Sequence, residues 1–335
     1  MQLRTILNNG LIMVNRRRLL QGFGSGLLLA GLPAAGVVAA SGRLSVVATT
    51  GMVADTARQI GGALVEVKAL MGPGVDPHAY RQTRTDIVAM AKADVVLWNG
   101  LFLEAQMEDV LGDLASRTTV VAVAEAVPEA IRVAHDDYAD RFDPHVWMNP
   151  VLWRDVAGAI RDVFKEALPP EAGVFDENFA AFDAQLDALA GYSKAALASV
   201  PEGARVLVTA HDAFNYFGQA YGYDVVGVQG ISTESEAGLN RVAELVDMLV
   251  ARKVGSVFVE SSVSDRSVRA LIEGAAAQGW TVKIGGELYS DAMGLEGTYE
   301  GTYIGMIDHN VTTIAAGLGG QVPARGMNGK LSAGS

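Results

Sequence analysis

The feature that most constrains this chain is an alternation of two patterns, broken once. Short β-branched apolar runs at 44–50, 65–70, 94–100 and 118–123 alternate with helical stretches at 52–60 and 83–93. The pattern resumes later, with strand-like runs at 205–209, 223–228, 255–260 and 281–284 and helical stretches at 214–221, 239–252 and 267–279. Strands alternating with helices predict βαβ units and a parallel sheet in each half. Between the halves, residues 171–199 hold no proline and glycine only at 173 and 191. Phe175, Phe179, Phe182, Leu186, Leu189 and Ala190 recur there in steps of three and four. That spacing predicts one amphipathic helix of about 25 residues, roughly 38 Å long. It reads either as a surface helix of one domain or as a rigid strut between two lobes.

The N-terminus reads as an export signal. Arg16, Arg17 and Arg18 precede an apolar Gly/Leu/Ala stretch, and Val38-Ala39-Ala40 supplies small residues for cleavage. The Arg-Arg-Arg-Leu-Leu run also has the look of a twin-arginine signal. Met13, just before it, is a candidate start alongside Met1. The apolar stretch is short and glycine-rich, which favours cleavage near Ala40 over a membrane anchor. The expected location is the periplasm. With no cysteine in the chain, disulfides, thiolate ligands, a catalytic cysteine and a lipidated cysteine are all excluded. Residues 1–40 carry four arginines and no acid, so removing them takes the net charge from −12 to −16. Such a chain does not bind nucleic acid by bulk electrostatics.

Five histidines are present, and three stand in short turn-like segments. His78 lies in Gly-Val-Asp-Pro-His-Ala-Tyr, His145 in Phe-Asp-Pro-His-Val-Trp-Met-Asn-Pro, and His211 in Val-Thr-Ala-His-Asp-Ala-Phe. Asp291 lies in Leu-Tyr-Ser-Asp-Ala-Met-Gly and reads equally well as a helix cap. Imidazole is the commonest ligand for zinc-like metals, and a carboxylate completes four-coordination. His78, His211 and Asp291 each follow a predicted strand, where ligands of open α/β sheets gather. In the two Asp-Pro-His segments, Asp76 and Asp143 either orient the imidazole through its other nitrogen or simply form an Asx turn. His135, in an acidic stretch expected to be exposed, and His309, in an apolar helix-like segment, are read as structural.

On these residues the chain resembles the zinc/manganese-specific solute-binding proteins of bacterial ABC importers. The resemblance also draws on Gly-Ile-Ser-Thr-Glu-Ser-Glu at 230–236 and Phe-Val-Glu-Ser-Ser at 258–262. It implies an α/β fold of two lobes, each a mainly parallel sheet flanked by helices, joined by one long rigid helix. It implies a Zn²⁺ or Mn²⁺ ion buried between them, held by His78 and His145 from one lobe and His211 and Asp291 from the other. The tail after Gly319, rich in Gly, Pro, Ser, Asn and Ala, reads as poorly ordered. With the signal at 1–40, the expected organisation is an N-terminal metal-binding lobe at 41–170, a linking helix at 171–200, a C-terminal metal-binding lobe at 201–320 and a flexible tail at 321–335. The implied partner is the membrane permease of a metal importer, with the protein acting as a monomer. Some manganese-preferring members carry glutamate where His211 stands. Many zinc-preferring members carry a His-rich loop, and here residues 134–141 offer only His135. Three imidazoles and a carboxylate suit tetrahedral zinc, and binding is expected to weaken below about pH 6.

Two other functions compete with this one. A zinc hydrolase is disfavoured, because no His-Glu-x-x-His or Gly-x-Ser-x-Gly motif occurs. A binder of a small organic solute would draw on Trp98, Trp147 and Tyr289, which also read as packing residues.

Overall fold

The computed structural model describes residues 42–135 and 140–332. The expected export signal, with Met13 and the arginine run, lies outside the described residues. The first half runs β1 (Leu44–Ala48), α1 (Gly51–Gly61), β2 (Val65–Ala69), α2 (Arg84–Lys92), β3 (Val95–Trp98), α3 (Glu108–Leu114) and β4 (Thr119–Ala122). Its strands form one parallel sheet in the order β2-β1-β3-β4. The order therefore reverses beside β1, and the crevice falls at the carboxyl ends of β1 and β3.

Two helices follow, α4 (Pro150–Ala167) and α5 (Ala172–Ala198). The sequence reading did not anticipate α4. Its start is nonetheless conventional, since the Asn149 side chain accepts from the Val151 N–H and Pro150 occupies the first turn. α5 has 27 residues, so it spans about 40 Å. Phe175, Phe182, Leu186, Leu189, Ser193 and Leu197 form one buried stripe along it.

The second half runs β5 (Val206–Thr209), α6 (Asn215–Tyr221), β6 (Asp224–Gly227), α7 (Leu239–Ala251), β7 (Ser256–Glu260), α8 (Arg266–Ala277), β8 (Lys283–Leu288) and α9 (Tyr303–Gly317). β5 pairs with β6 and β7 with β8, both in parallel. β5 and β7 lie side by side with no ladder joining the two pairs among the described residues. Two parallel pairs thus stand where a single sheet was expected.

Helices α1, α4 and α9 pack on α5. One apolar cluster, with residues from Leu44 to Ala315, includes side chains of all four. At its centre the Trp153 and Tyr303 rings stack at 5.1 Å, and the Tyr303 hydroxyl donates to the Trp147 carbonyl. Burying such aromatic side chains stabilises the fold by roughly 1.5–3 kcal/mol each. α5 therefore packs on helices of both halves through its one buried stripe while its other face stays exposed, so it is a surface helix, but not one belonging to a single half.

The tail differs from expectation as far as residue 332. Asp308 of α9 accepts the Met327 N–H, Glu300 accepts the Ser332 N–H, and Leu331 is only 1% exposed. Gly326 has φ +68°, and a Cβ there would lie 2.4 Å from Asp308 Oδ1, so this anchor needs glycine. Among the described residues no helix is long and apolar enough to cross a membrane.

Candidate metal centre

His78 leaves the end of β2 on a stiff turn. Asp76 Oδ1 accepts its backbone N–H at 2.9 Å, the Asx turn, and Pro77 between them restricts the chain. The hydroxyl of Thr233, from the loop after β6, donates to Asp76 Oδ2 at 2.6 Å.

His145 is reached by a longer path. Ala134 and Phe142 form an antiparallel bridge that positions Asp143. Asp143 Oδ1 accepts both the backbone N–H of His145, at 2.9 Å, and its Nδ1–H, at 2.7 Å. The carboxylate thereby assigns the proton to Nδ1 and leaves Nε2 facing the cleft. The bracing continues beneath. Gly100, Leu101 and Phe102 are consecutive left-handed residues, with φ of 82°, 53° and 71°. This strained turn brings the Glu104 carboxylate to the Thr49 hydroxyl and to the Asn99 and Gly100 N–H groups. Burial pushes the Glu104 carboxyl up despite those three donors. Asn99 Nδ2 in turn donates to the Pro144 carbonyl, one residue before His145.

His211 follows β5 directly. Glu260, the last residue of β7, accepts its backbone N–H at 2.9 Å and its Nδ1–H at 2.5 Å. A Cβ on Gly227 would lie 2.6 Å from the Asp212 nitrogen, so only glycine lets β6 run so close to this loop. The Asn215 amide then bridges the halves, donating to Asp143 Oδ2 at 3.1 Å and Asp212 Oδ2 at 3.0 Å.

Asp291 follows β8. Asn310 of α9 pairs with both the N–H and the carbonyl of Tyr289, and Trp147 Nε1 donates to the Ser290 carbonyl at 2.8 Å. The backbone leading into Asp291 is thus fixed. The carboxylate oxygens themselves have no hydrogen-bond partner, and neither does His211 Nε2.

These four side chains, predicted from the sequence as a set, are all buried and bring their ligand atoms within 4.8 Å of one another. His78 Nε2 lies 3.2 Å from His145 Nε2, His145 Nε2 lies 3.4 Å from Asp291 Oδ1, and His211 Nε2 lies 3.2 Å from Asp291 Oδ2. Bonds of about 2.0–2.1 Å in a tetrahedron place ligand atoms about 3.3–3.4 Å apart, so the three spacings fit one small divalent ion. The His211–Asp291 contact is near enough for an ion pair but is not aligned as a hydrogen bond. Orphaned polar atoms this deeply buried are costly unless a cation satisfies them.

Charge divides the histidines. Burial pushes His78 down to about 3, so it is neutral. Burial also opposes the charged form of His145, but Asp143, with help from Asp291, pushes it up to about 9. His211 is buried too, and Asp291 and Glu260 together hold it well above the ordinary histidine value. Burial would raise Asp291, yet the His211 and His145 charges hold it well below the usual carboxylate range.

Of the remaining histidines, His309 lies in α9 and contacts the Glu287 carbonyl through Nε2, a structural place as expected. His135 is buried at 7% exposure, not exposed, because its backbone N–H pairs with the Arg141 carbonyl next to the Ala134–Phe142 bridge. The sequence reading assigned no role to Glu260, Glu104 or Asn99. The signal for Glu260 was a single acid closing an apolar strand.

The family profile described as zinc-uptake complex component A, periplasmic, matches residues 46–317. The manganese-binding lipoprotein MntA of Bacillus subtilis is 49% identical over 276 residues, covering 82% of this chain and 90% of the relative. The zinc-binding protein TroA of Treponema pallidum is 45% identical over 280 residues, covering 84% of this chain and 90% of the relative. The solved structure of the periplasmic zinc-binding TroA superposes with a TM-score of 0.81 at 44% identity, covering 83% of this chain and 99% of that one. With its two α/β halves on a shared helix and this breadth of match, the chain belongs to the family of the periplasmic zinc-uptake component A.

Proposed function

We propose that this protein captures a divalent transition metal, zinc or manganese, with His78, His145, His211 and Asp291, and hands it to the permease of an ABC importer. The observation that carries this reading is the convergence of four buried ligand atoms within 4.8 Å. The metal is cargo. Four protein ligands close the coordination sphere, whereas a catalytic zinc usually keeps three and an open position for water. No turnover is expected. His78 and His145 belong to a lobe spanning 41–170, His211 and Asp291 to one spanning 201–320, and the helix at 171–200 links them. The protein acts in the periplasm as a monomer, after export and cleavage near Ala40. Lacking cysteine, this chain has no thiol for the lipid anchor that the name of MntA implies for that relative.

The relatives divide between manganese and zinc by name. At a nitrogen-rich site with no geometric penalty, affinity rises from Mn²⁺ to Zn²⁺. Asp291 turns one oxygen toward His145 and the other toward His211, which suits bidentate binding and a higher coordination number. Zinc therefore binds more tightly in vitro, and manganese remains an acceptable cargo.

Competitive titration of the chelator-stripped protein with Zn²⁺ and Mn²⁺, beside His211→Ala, tests this. The expected result is one tight equivalent of zinc, weakened more than about 100-fold by the substitution. Equal tight binding by both proteins would remove His211 from the site.

A further inference from the structure

We infer that Trp147 sets the metal preference of the site, by holding Asp291 so that both carboxylate oxygens face the ion. This rests on the metal-site reading above. Trp147 is a positioning residue and touches no metal itself.

Its reach comes from the turn that carries it. Residues 146–148 form one 3₁₀ turn straight after His145, and the Met148 N–H donates to the His145 carbonyl. The turn sets the indole edge-on to the His145 imidazole, with ring centroids 5.1 Å apart at 69°. The indole then crosses to the second half, where its Nε1–H donates to the Ser290 carbonyl at 2.8 Å. Trp147 and Ser290 are both fully buried, so water does not compete for that bond. One side chain thus packs on a ligand of the first half and grips the peptide just before a ligand of the second. The Trp147 backbone is itself pinned. The Tyr303 hydroxyl donates to its carbonyl at 2.9 Å, and Asp55 of α1 accepts the Tyr303 N–H.

The gripped peptide is the one that aims Asp291. The ladder between β7 and β8 ends where the Ser261 N–H donates to the Leu288 carbonyl. Beyond it, Asn310 takes both backbone groups of Tyr289, and the Ser290 hydroxyl meets that of Ser262 at 3.0 Å. The Ser290 carbonyl is left to Trp147. A peptide unit is planar, so holding that oxygen fixes the plane containing the Asp291 nitrogen and Cα. The carboxylate has no hydrogen bond of its own, so the backbone anchor aims it. In the aimed pose Oδ1 lies 3.4 Å from His145 Nε2, and Oδ2 lies 3.2 Å from His211 Nε2.

The two candidate ions use that pose differently. Zn²⁺ is satisfied by four ligands, and one Asp291 oxygen completes the three imidazoles. Mn²⁺ binds nitrogen more weakly and favours oxygen ligands and higher coordination numbers. The second oxygen is therefore worth more to manganese. Without the indole donor the Ser290–Asp291 peptide is free to rotate. A one-oxygen pose survives a small rotation, and a two-oxygen pose does not.

Trp147→Phe keeps an aromatic ring beside His145 and removes the donor. Affinities of the chelator-stripped protein for Mn²⁺ and Zn²⁺ are measured by competition with a metal indicator. Manganese affinity is expected to fall about 30-fold and zinc affinity about threefold, so the preference for zinc widens about tenfold. A general loosening of the core lowers both affinities alike, so the ratio separates positioning from packing. Tyr303→Phe is the packing control, because it removes a bond to the same turn and leaves the indole N–H in place. Its ratio should match that of the unsubstituted protein. Equal losses for the two ions in Trp147→Phe, or the same widening in Tyr303→Phe, overturn the inference. If Trp147→Phe does not fold, benzothienylalanine at position 147, with the shape of tryptophan and no N–H, carries the same test. An unsubstituted protein that binds neither ion brings down the metal site itself, a failure read before any ratio.

Discussion

The imidazoles and the carboxylate of the cluster meet at one place but are mounted in opposite ways. His145 and His211 each have an acid behind them, Asp143 and Glu260, that accepts both the backbone N–H and the Nδ1–H. Their rings are aimed before any ion arrives. The two residues before Asp291 have their backbone clamped by α9 and Trp147, yet its own carboxylate oxygens receive no hydrogen bond. A buried carboxylate without donors needs positive charge nearby. Protons on His145 and His211 supply it, and under the proposed function a bound cation would take their place. On that proposal one carboxylate serves both states, and metal and protons compete for the same nitrogens.

That competition gives the largest expected effect. In the metal-free protein His145 is pushed up to about 9 and His211 well above its ordinary value, so both hold a proton at neutral pH. A metal must displace both. Affinity should fall by up to about 100-fold per pH unit on acidification from neutral, two protons being exchanged. This is a steeper loss, starting at higher pH, than the weakening below about pH 6 expected from unperturbed histidines. Stability runs the other way. A folded pKa above the unfolded one stabilises the metal-free protein fully below about pH 6.5, and that contribution disappears as pH climbs through the folded values. The melting temperature of the metal-free protein should decline from about pH 6.5 to 9, and the shift on adding zinc should grow. Calorimetry in buffers of different ionisation enthalpy counts the protons released. A count near zero at neutral pH would show the imidazoles to be neutral already and would erase the contrast with Asp291.

The next effect tests the mounts themselves. Glu260→Gln keeps an acceptor for one N–H of His211 but loses the charge. A fall in zinc affinity of about 10–100-fold is expected. Asp143→Asn should lie in the same range, because Asp143 holds His145 by the same pair of bonds. Titration of both variants against a zinc chelator decides it. Affinities within twofold of the parent would mean that packing alone aims the rings.

Much of this was legible in the sequence, and the parts that were not share a cause. Buried parallel strands are β-branched runs, so β1 to β7 could be read to within two residues at each end. β8, expected at 281–284, runs Lys283–Leu288, because its Gly285-Gly286-Glu287 stretch carries no β-branched residue. The histidines stood out because proline and aspartate stiffen their turns. The same Asp-Pro-His text, however, has two outcomes. Asp143 reaches the ring of its histidine, while Asp76 reaches only the backbone N–H and turns its other oxygen to Thr233. Ring orientation depends on what packs around it, and local sequence does not record that. Glu260 lies 49 residues from His211, so their bond exists only in the folded chain. The tail read as loose because glycine and serine favour disorder, yet its anchor, Asp308, belongs to α9. The first turn of α4 was masked by Pro150, which looks like a break and acts as a helix start.

The smallest expected effect concerns His78, whose mount is intermediate between the other two kinds. Thr233 donates to Asp76 Oδ2 from across the cleft, while Asp76 Oδ1 takes the His78 N–H. Burial and the charge of Asp291 push the Asp76 carboxyl up, and the Thr233 hydroxyl works against both. Thr233→Val keeps the shape and removes that donor. Asp76 is only half-buried, so water replaces part of the lost bond, and it steers the backbone of His78, not the ring. Zinc affinity should fall by about threefold to tenfold, less than for Glu260→Gln. A loss as large as that of Glu260→Gln would mean that Thr233 locks the first ligand as firmly as the acids lock the other two. In that case Asp291 alone would remain without a mount, and the contrast would sharpen to three against one.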